Sequence, residues 1–410
     1  MSTYRDKELI LVSDMANKAS DKYNKRLTPN TFSIIKIVED FISSNNLICY
    51  GGIAINNILP KKEQFYKLSE FPDYDFFSPD ALNDAKKLAD IYHKKGYGNI
   101  EAKSGFHYGT YKVYVNFLNI ADITQIDPEI YNNIKKLAIK KNKILYSPPD
   151  FLRMSMYLEL SRPKGDVSRW EKILPRLNLL NKYYPIKNTI CKNRNEKLSG
   201  LKLNIYNTVK SLLINQKVIF FGGYADRLYS KYSKNKSQIS KLMIYDVLSN
   251  DAKICSETIK TKMKEFDITI DHIDKIGELI PEHYSLKVDG KIYVNIYQSE
   301  ACYTYNRIKI ENKSMNIATI FTMMSLYLIF IFADNPTYDT SRIMCTANML
   351  QKIYERNKFK NSGLLKVYTI ECLGEQETFE DILLKKRDAF KKVKKTDTKY
   401  EKWFMKYIPK

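Results

Sequence analysis

The chain has 410 residues, enough for two or three domains, and its 44% hydrophobic content can build substantial cores. With 67 Lys and Arg against 46 Asp and Glu the formal net charge is +21, which points to a polyanionic partner such as nucleic acid or an anionic membrane. Six scattered cysteines without a Cys-x-x-Cys and four dispersed histidines argue against a zinc site and for reduced thiols in a cytosolic chain. The basic residues are mostly Lys, which suits phosphate contact better than bidentate base reading. An A+T-rich genome would account for the abundant Lys, Asn and Ile, but not for the charge excess.

Residues 1–46 read as helices, with apolar residues at helical spacing over 14–23 and 31–42. Residues 47–50 (Leu-Ile-Cys-Tyr) form a short apolar run of buried-strand type that ends in Gly51-Gly52. There the backbone can turn and approach a ligand, and residues 53–59 begin a helix closed by Pro60. A strand, a glycine pair and a helix N-terminus together present free N–H groups to a phosphate. Residues 60–67 read as a loop. In Asp73-Tyr-Asp75-Phe-Phe, strand period two puts both carboxylates on one side and the aromatics on the other. Such a pair beside apolar flanks repels itself unless a cation sits with it, and Mg²⁺ takes carboxylate oxygens together with substrate phosphates.

A helix follows from Ser78-Pro79 to about Lys95, with Asp80 and Asp84 early and Lys94-Lys95 late, matching the helix dipole. Residues 111–117 are a strand, and 119–126 continue or pair with it. Asp122 is a lone acid on that apolar strand, whereas Asp127, just before Pro128, reads as a cap. Further on, Ser168 with Glu171 three residues later reads as a capping box. Arg169, Lys172 and Arg176 are either nucleotide contacts or a solvated helix face. Residues 181–199 are polar and basic and read as a linker.

The syntax then recurs. Val218-Ile-Phe-Phe-Gly-Gly-Tyr-Ala225 matches residues 47–54, and Tyr245-Asp-Val-Leu-Ser-Asn-Asp-Ala252 matches 74–81, both at an offset of 171 (222 − 51 and 246 − 75). Residues 293–296 match 114–117 at offset 179, and 321–328 match 151–158 at offset 170. Four ordered matches at nearly constant offset predict a duplication. In the second copy Ile244 stands for Asp73, Ala301 for Asp122 at offset 179, and only Asp246 keeps a carboxylate. One carboxylate cannot hold two ions, so the second copy is expected to be an inactive scaffold. Asp73 and Asp122 are thereby marked as chemical rather than structural. Met323 and Ile329 replace Arg153 and Glu159, which links those two to the first copy's site. The uncharged stretch 317–333 reaches the lower limit of a membrane span, but its alignment with a helix carrying Arg153, Glu159 and Arg162 makes it an internal helix. From 385 to 410 the chain carries eleven basic and three acidic residues with interleaved aromatics, a pattern that suits single-stranded nucleic acid or an amphipathic helix packing its rings.

These residues resemble the nucleotidyltransferase superfamily of DNA polymerase beta. The longer gap between Gly52 and Asp73 departs from its usual pattern. Ser147-Pro-Pro-Asp-Phe-Leu and Ser161-Arg-Pro…Gly165-Asp…Arg169-Trp-Glu-Lys172 narrow the resemblance to the poly(A) polymerase catalytic subunit of poxviruses and large nucleocytoplasmic DNA viruses, in its giant-virus form. The resemblance covers most of residues 30–335. It implies an α/β (α+β) fold: tandem nucleotidyltransferase domains, mixed sheets flanked by helices, with a catalytic domain at 1–190, a degenerate one at 195–335 and a basic helical region at 336–410. It further implies Asp73, Asp75 and Asp122 as catalytic metal ligands for Mg²⁺ or Mn²⁺, with Gly51, Gly52, Arg153, Arg169 and Lys172 at ATP. AMP would pass from ATP to an RNA 3′ end with release of pyrophosphate, in a homodimer without a membrane span, in the cytoplasmic viral factory and the virion. The alternatives are a nucleotidyltransferase of another nucleotide or acceptor, and a non-catalytic RNA-binding subunit.

Overall fold

In the computed structural model, which describes residues 2–23, 29–66, 73–187, 197–233, 244–277, 279–333 and 339–410, two eight-stranded mixed sheets carry the same strand order. The first holds β1 (Ile48–Cys49), β2 (Tyr74–Ser78), β3 (Glu101–Ser104), β4 (Thr110–Val115), β5 (Leu118–Gln125), β6 (Ile139–Lys141) and β7 (Ile144–Tyr146). The second holds β8 (Ile219–Phe221), β9 (Tyr245–Ser249), β10 (Ile268–Ile273), β11 (His283–Val288), β12 (Lys291–Gln298), β13 (Tyr303–Ile310), β14 (Lys313–Ala318) and β15 (Cys372–Leu373). A last strand, β16 (Lys406–Tyr407), returns to the first sheet. The orders are β16-β3-β4-β5-β2-β1-β7-β6 and β10-β11-β12-β9-β8-β14-β13-β15. Without β16 and β15 the seven-strand cores are identical, element for element, which is the fold-level image of the sequence repeat.

The helices are α1 (Ser2–Tyr23), α2 (Pro29–Ser44), α3 (Gly51–Ile58), α4 (Ala81–Lys94), α5 (Pro128–Leu137), α6 (Pro149–Leu160), α7 (Trp170–Tyr183), α8 (Gly200–Asn215), α9 (Gly222–Ser230), α10 (Ala252–Lys262), α11 (Ile320–Phe330), α12 (Thr340–Asn357), α13 (Phe379–Lys392) and α14 (Thr398–Phe404). The chain packs as two compact units: residues 1–125, 139–146 and 393–410, and residues 126–138 and 147–392. The expected boundaries at 190 and 336 are therefore not where the packing changes. α6, the first copy's counterpart of α11, lies in the second unit against α11, with Tyr157 and Phe321 centroids 5.4 Å apart and Phe151 and Phe332 5.1 Å apart. All eleven residues of α11 are buried, which explains an apolar helix with no polar face. Among the described residues no helix is long and apolar enough to cross a membrane.

The C-terminal segment is divided between the units. α12 packs on α11 and α9, and β15 pairs with β13 in the second unit. α14 and β16 join the first, where Trp403 meets Tyr108 at 4.7 Å and Tyr407 donates to Asp90 at 2.7 Å. These aromatics pack within their own unit. The cysteines also differ from expectation: Cys302 and Cys372 form a disulfide that ties β15 to the start of β13, while Cys49 and Cys255 are free and buried. The capping box at Ser168 is not formed. Asp166 accepts from the Ser168 N–H instead, because a 3-10 turn over Val167–Arg169 precedes α7. Of the expected linker, 188–196 lies outside the described residues, as does Lys67 of the loop after Pro60, of which Lys61–Glu63 form a 3-10 turn.

Leu328 is fully buried in α11. Leu328→Asp would bury an unpaired carboxylate, at a cost on the order of 5 kcal/mol. The expected result is loss of the cooperative thermal transition or a fall in Tm of many degrees, measured by circular dichroism; an unchanged Tm would refute the buried-helix assignment.

Candidate active site

The first sheet brings the three candidate acids to one edge of two strands. β2 and β5 run parallel, with Asp75 paired to Asp122 in register. Strand alternation sends Tyr74 and Phe76 into the core while Asp73 and Asp75 face the other way. Asp73 precedes β2 at the exposed rim, and the Asn119 amide donates both to Asp73, at 3.1 Å, and to Asp122, at 2.8 Å. Although Asp73 keeps exposed surface, partial desolvation of its carboxylate by the surrounding residues, followed by the Asp122 charge, pushes its pKa up to about 6, against the opposing pull of Lys112 and the Asn119 hydrogen bond.

Two residues of this cluster were not singled out in the sequence. Asn119 bridges the acids, and Lys112 forms an ion pair with Asp122. A lysine therefore already sits beside the acids. β4 and β5 form a hairpin in which Lys112 lies directly opposite Asp122. The signal is the alternation Tyr111-Lys-Val-Tyr, readable only once the hairpin register is known. Burial alone would lower the Lys112 pKa, but the Asp122 hydrogen bond and the charges of Asp122 and Asp73 hold it above its ordinary value.

Gly51 opens α3 at φ +69°, and a Cβ there would lie 2.6 Å from Asp75 Oδ2. The position therefore requires glycine twice over, by backbone and by space. Tyr50 is the N-cap residue but supplies no side-chain cap. Its ring stacks on Phe77 at 3.9 Å and its hydroxyl meets Thr124 Oγ1 at 2.8 Å, which fixes the entry to the helix.

The donor set fits divalent cations. Asp75 and Asp122 are paired in register on neighbouring strands and the Asn119 amide joins Asp122 to Asp73, so the three carboxylates lie together on one face of the sheet, where a cation would relieve their mutual repulsion. Among the described residues no three His, Cys, Asp or Glu side chains are already gathered closely enough to hold a metal ion, and Asp122 is paired with Lys112. The candidate cations Arg153, Arg169 and Lys172 belong to the second unit. Arg153 has no exposed surface, and its guanidinium is held by Asp150 at 2.9 Å and by the Tyr184 carbonyl. Arg169 pairs with Glu159 at 3.2 Å, and Lys172 is exposed in the first turn of α7.

The second sheet shows what the same frame does without the acids. Asp246 pairs with Asn295 across β9 and β12, as Asp75 does with Asp122. Asn295, not Ala301, is therefore the counterpart of Asp122. The hairpins confirm it: their bulges, at Val113/Tyr114 and Leu286/Lys287, and their turns, at Asn116-Phe117 and Asp289-Gly290, are both displaced by 173. The 179 match of Tyr-Val-Asn falls on a different stretch of the hairpin. In this register Ile292 replaces Asn119 and Ser285 replaces Lys112. Asn295 donates to Asp246 at 2.9 Å and accepts from Ser285 at 2.7 Å. Asp246 also accepts a backbone N–H from Gly223, so it caps α9. Around it lies a cavity of about 730 Å³ lined in part by Ile244, Asp226 and Arg342.

Asp226 is almost wholly buried there, accepting from Tyr327 at 2.7 Å with Arg342 at 3.9 Å, and burial pushes its pKa up to about 7. A folded-state pKa above the unfolded 3.8 means that the native protein binds the extra proton. This group's contribution is greatest at low pH and declines as pH rises from about 4 to about 7. Asp226→Asn should flatten that part of the profile and raise Tm above wild type near pH 8. Parallel Tm curves for the two proteins between pH 5 and 8 would remove Asp226 as the source.

Residues 36–166 match the family model of the poly(A) polymerase catalytic subunit. The putative poly(A) polymerase catalytic subunit of African swine fever virus (strain Badajoz 1971 Vero-adapted) is 39% identical over 159 residues, 37% of this chain and 33% of that protein. That of Acanthamoeba polyphaga mimivirus is 31% identical over 180 residues, 42% of this chain and 30% of that protein. The aligned part thus spans about a third of the length of these curated relatives. The crystal structure of the Megavirus polyadenylate synthase matches the fold with a TM-score of 0.79 at 20% identity, over 95% of this chain and 83% of that one. The matched family segment contains Gly51, Gly52, Asp73, Asp75, Lys112, Asn119 and Asp122.

Proposed function

We propose that this chain is a template-independent poly(A) polymerase that adds AMP from ATP to the 3′ end of mRNA and releases pyrophosphate. The observation that carries the reading is the register-paired Asp75 and Asp122, with Asp73 at the same edge, beside the Gly51-Gly52 helix start. The poly(A) polymerase family model covers this whole set.

Asp73, Asp75 and Asp122 would hold two Mg²⁺ or Mn²⁺ ions. Bound there, such ions supply a lowered pKa for the attacking 3′-hydroxyl and charge neutralisation for the leaving pyrophosphate. The protein's own part is positioning. Gly51 and Gly52 let the backbone approach the triphosphate, with the N–H groups at the start of α3 as donors. Asn119 orients Asp73 relative to Asp122. Arg169 and Lys172 remain candidate nucleotide contacts, whereas the internal partners of Arg153 favour a structural role for it. The second copy is a scaffold: Ile244, Asn295 and Ser285 remove every charge of the first copy's cluster except Asp246, which caps a helix. The Lys-rich surface serves the RNA backbone, and a homodimer in the cytoplasmic viral factory completes the reading.

Labelled RNA primer incubated with each NTP separately tests it. Extension with ATP is expected; extension only with another nucleotide indicates a different nucleotidyltransferase, and RNA binding without extension indicates a non-catalytic subunit. Asp73→Ala, Asp75→Ala and Asp122→Ala should each reduce transfer by at least about a thousandfold, the scale on which charge stabilisation at a reacting phosphate acts. Asp246→Ala should transfer at a near wild-type rate while losing about 1 kcal/mol of stability with its cap. Tail synthesis that survives Asp73→Ala and disappears on adding Asp246→Ala would reveal a second working site. RNA affinity should fall log-linearly with salt through counterion release, and a flat response would exclude lysine–phosphate contact as the main mode.

A further inference from the structure

The ion pair between Lys112 and Asp122 lies inside the acid cluster, not on its border. Strand register sets Lys112 directly opposite Asp122, and the buried Tyr111 and Val113 on either side send its side chain to the face that carries the acids. Its charge reaches Asp73 as well as Asp122. Lys112 thus supplies the positive charge that the crowded carboxylates require.

The second copy offers an internal comparison. The hairpin keeps its bulge and its turn, but Asp122 has become Asn295 and Lys112 has become Ser285, and these two neutral residues hydrogen bond to each other at 2.7 Å. Hairpin architecture therefore does not need the lysine. The positive charge is present in the copy that has the acids and absent from the copy that lacks them, so it answers to the acids.

We infer that Lys112 is a placeholder cation: it neutralises the acid set before ions bind, and it opposes ion entry until a triphosphate arrives to receive its ammonium. The inference rests on the acids being the ion site proposed above. Ion loading is then coupled to nucleotide binding. In the absence of ATP a divalent ion must displace Lys112 from Asp122, whereas with ATP the displaced ammonium gains phosphate oxygens as partners.

Mn²⁺ titration of the full-length protein, with free ion counted by electron paramagnetic resonance, tests this directly. It is run with and without a non-hydrolysable ATP analogue. Wild type, Lys112→Met, Lys112→Arg and Asp122→Asn are compared, each with its melting temperature. Without nucleotide, Lys112→Met should bind Mn²⁺ about tenfold more tightly than wild type, the factor that loss of one charged hydrogen bond of ordinary strength implies. Lys112→Arg should resemble wild type, and the analogue should shrink the difference. If Asp122→Asn weakens Mn²⁺ binding but Lys112→Met matches wild type, the ion site stands and the placeholder role falls. If all four proteins bind Mn²⁺ alike, the acid cluster is not the ion site and both readings fall. Should Lys112→Met fail to fold, Lys112→Gln removes the same charge with a polar side chain, and the same outcomes apply.

Discussion

Repulsion among three carboxylates on adjacent strands is the constraint around which the first sheet is arranged. Neighbouring strands lie about 4.8 Å apart. Two unit charges at about 5 Å repel by about 3 kcal/mol at an effective dielectric of 20. A fold that places Asp75 opposite Asp122 and Asp73 at the same edge must supply compensation. Here it comes from three directions: the Lys112 ammonium on the far strand, the Asn119 amide between the acids, and the helix start at Gly51 beside Asp75. Each requires a particular neighbour. The hairpin must bring Lys112 into register, its bulge must turn Asn119 toward the acids, and Gly51 must have no Cβ.

The second copy separates what this arrangement owes to chemistry from what it owes to architecture. Four polar positions change to residues that need no countercharge, yet strand order, bulge and turn persist. One contact survives in both copies, the approach of the opening glycine to the aspartate beneath it. Gly222 stands at φ +62° with Asp246 against it, as Gly51 does with Asp75. That aspartate has two uses, as an acid facing the site and as a partner for a helix start. Only the second use remains in the copy without the other acids. The same logic appears at Gln125 and Gln298, which accept from the Ala81 and Ala252 N–H at the starts of α4 and α10 and donate to the Pro79 and Asn250 carbonyls in the turns before those helices.

Much of this was legible in the residue order because it is local. The strand, glycine pair and helix start, the alternation around Asp73 and Asp75, and the duplication all lie within short windows. The uncharged stretch 317–333 is legible as a buried helix because the repeat aligns it with a helix that carries Arg153, Glu159 and Arg162. What failed depended on register between distant strands. The counterpart of Asp122 was placed at Ala301 because a Tyr-Val-Asn match set the offset at 179, whereas hairpin geometry sets it at 173. Lys112 was passed over for the same reason: ten residues from Asp122 in sequence, it becomes its neighbour only when the hairpin closes. The Cys302–Cys372 disulfide spans 70 residues and has no local signature.

The C-terminal segment shows how two copies of one fold come to differ at their edges. An open strand edge exposes unpaired N–H and C=O groups and invites pairing with other chains. β16 covers the edge at β3 in the first sheet, while β15 covers the edge at β13 in the second. β13 is the counterpart of β6, so the added strands sit on opposite edges of equivalent sheets. Two residues of strand are little to hold such an edge, and each is reinforced by a different means. β15 is fastened by the disulfide from Cys372. β16 is anchored by Tyr407 on Asp90 and by the buried Met405 before it, with the Lys86–Glu401 ion pair securing the preceding helix. A basic, aromatic C-terminal tract that resembles a free nucleic-acid arm in sequence is thus, over its last residues, a clasp whose Trp403 and Tyr407 rings are committed to packing.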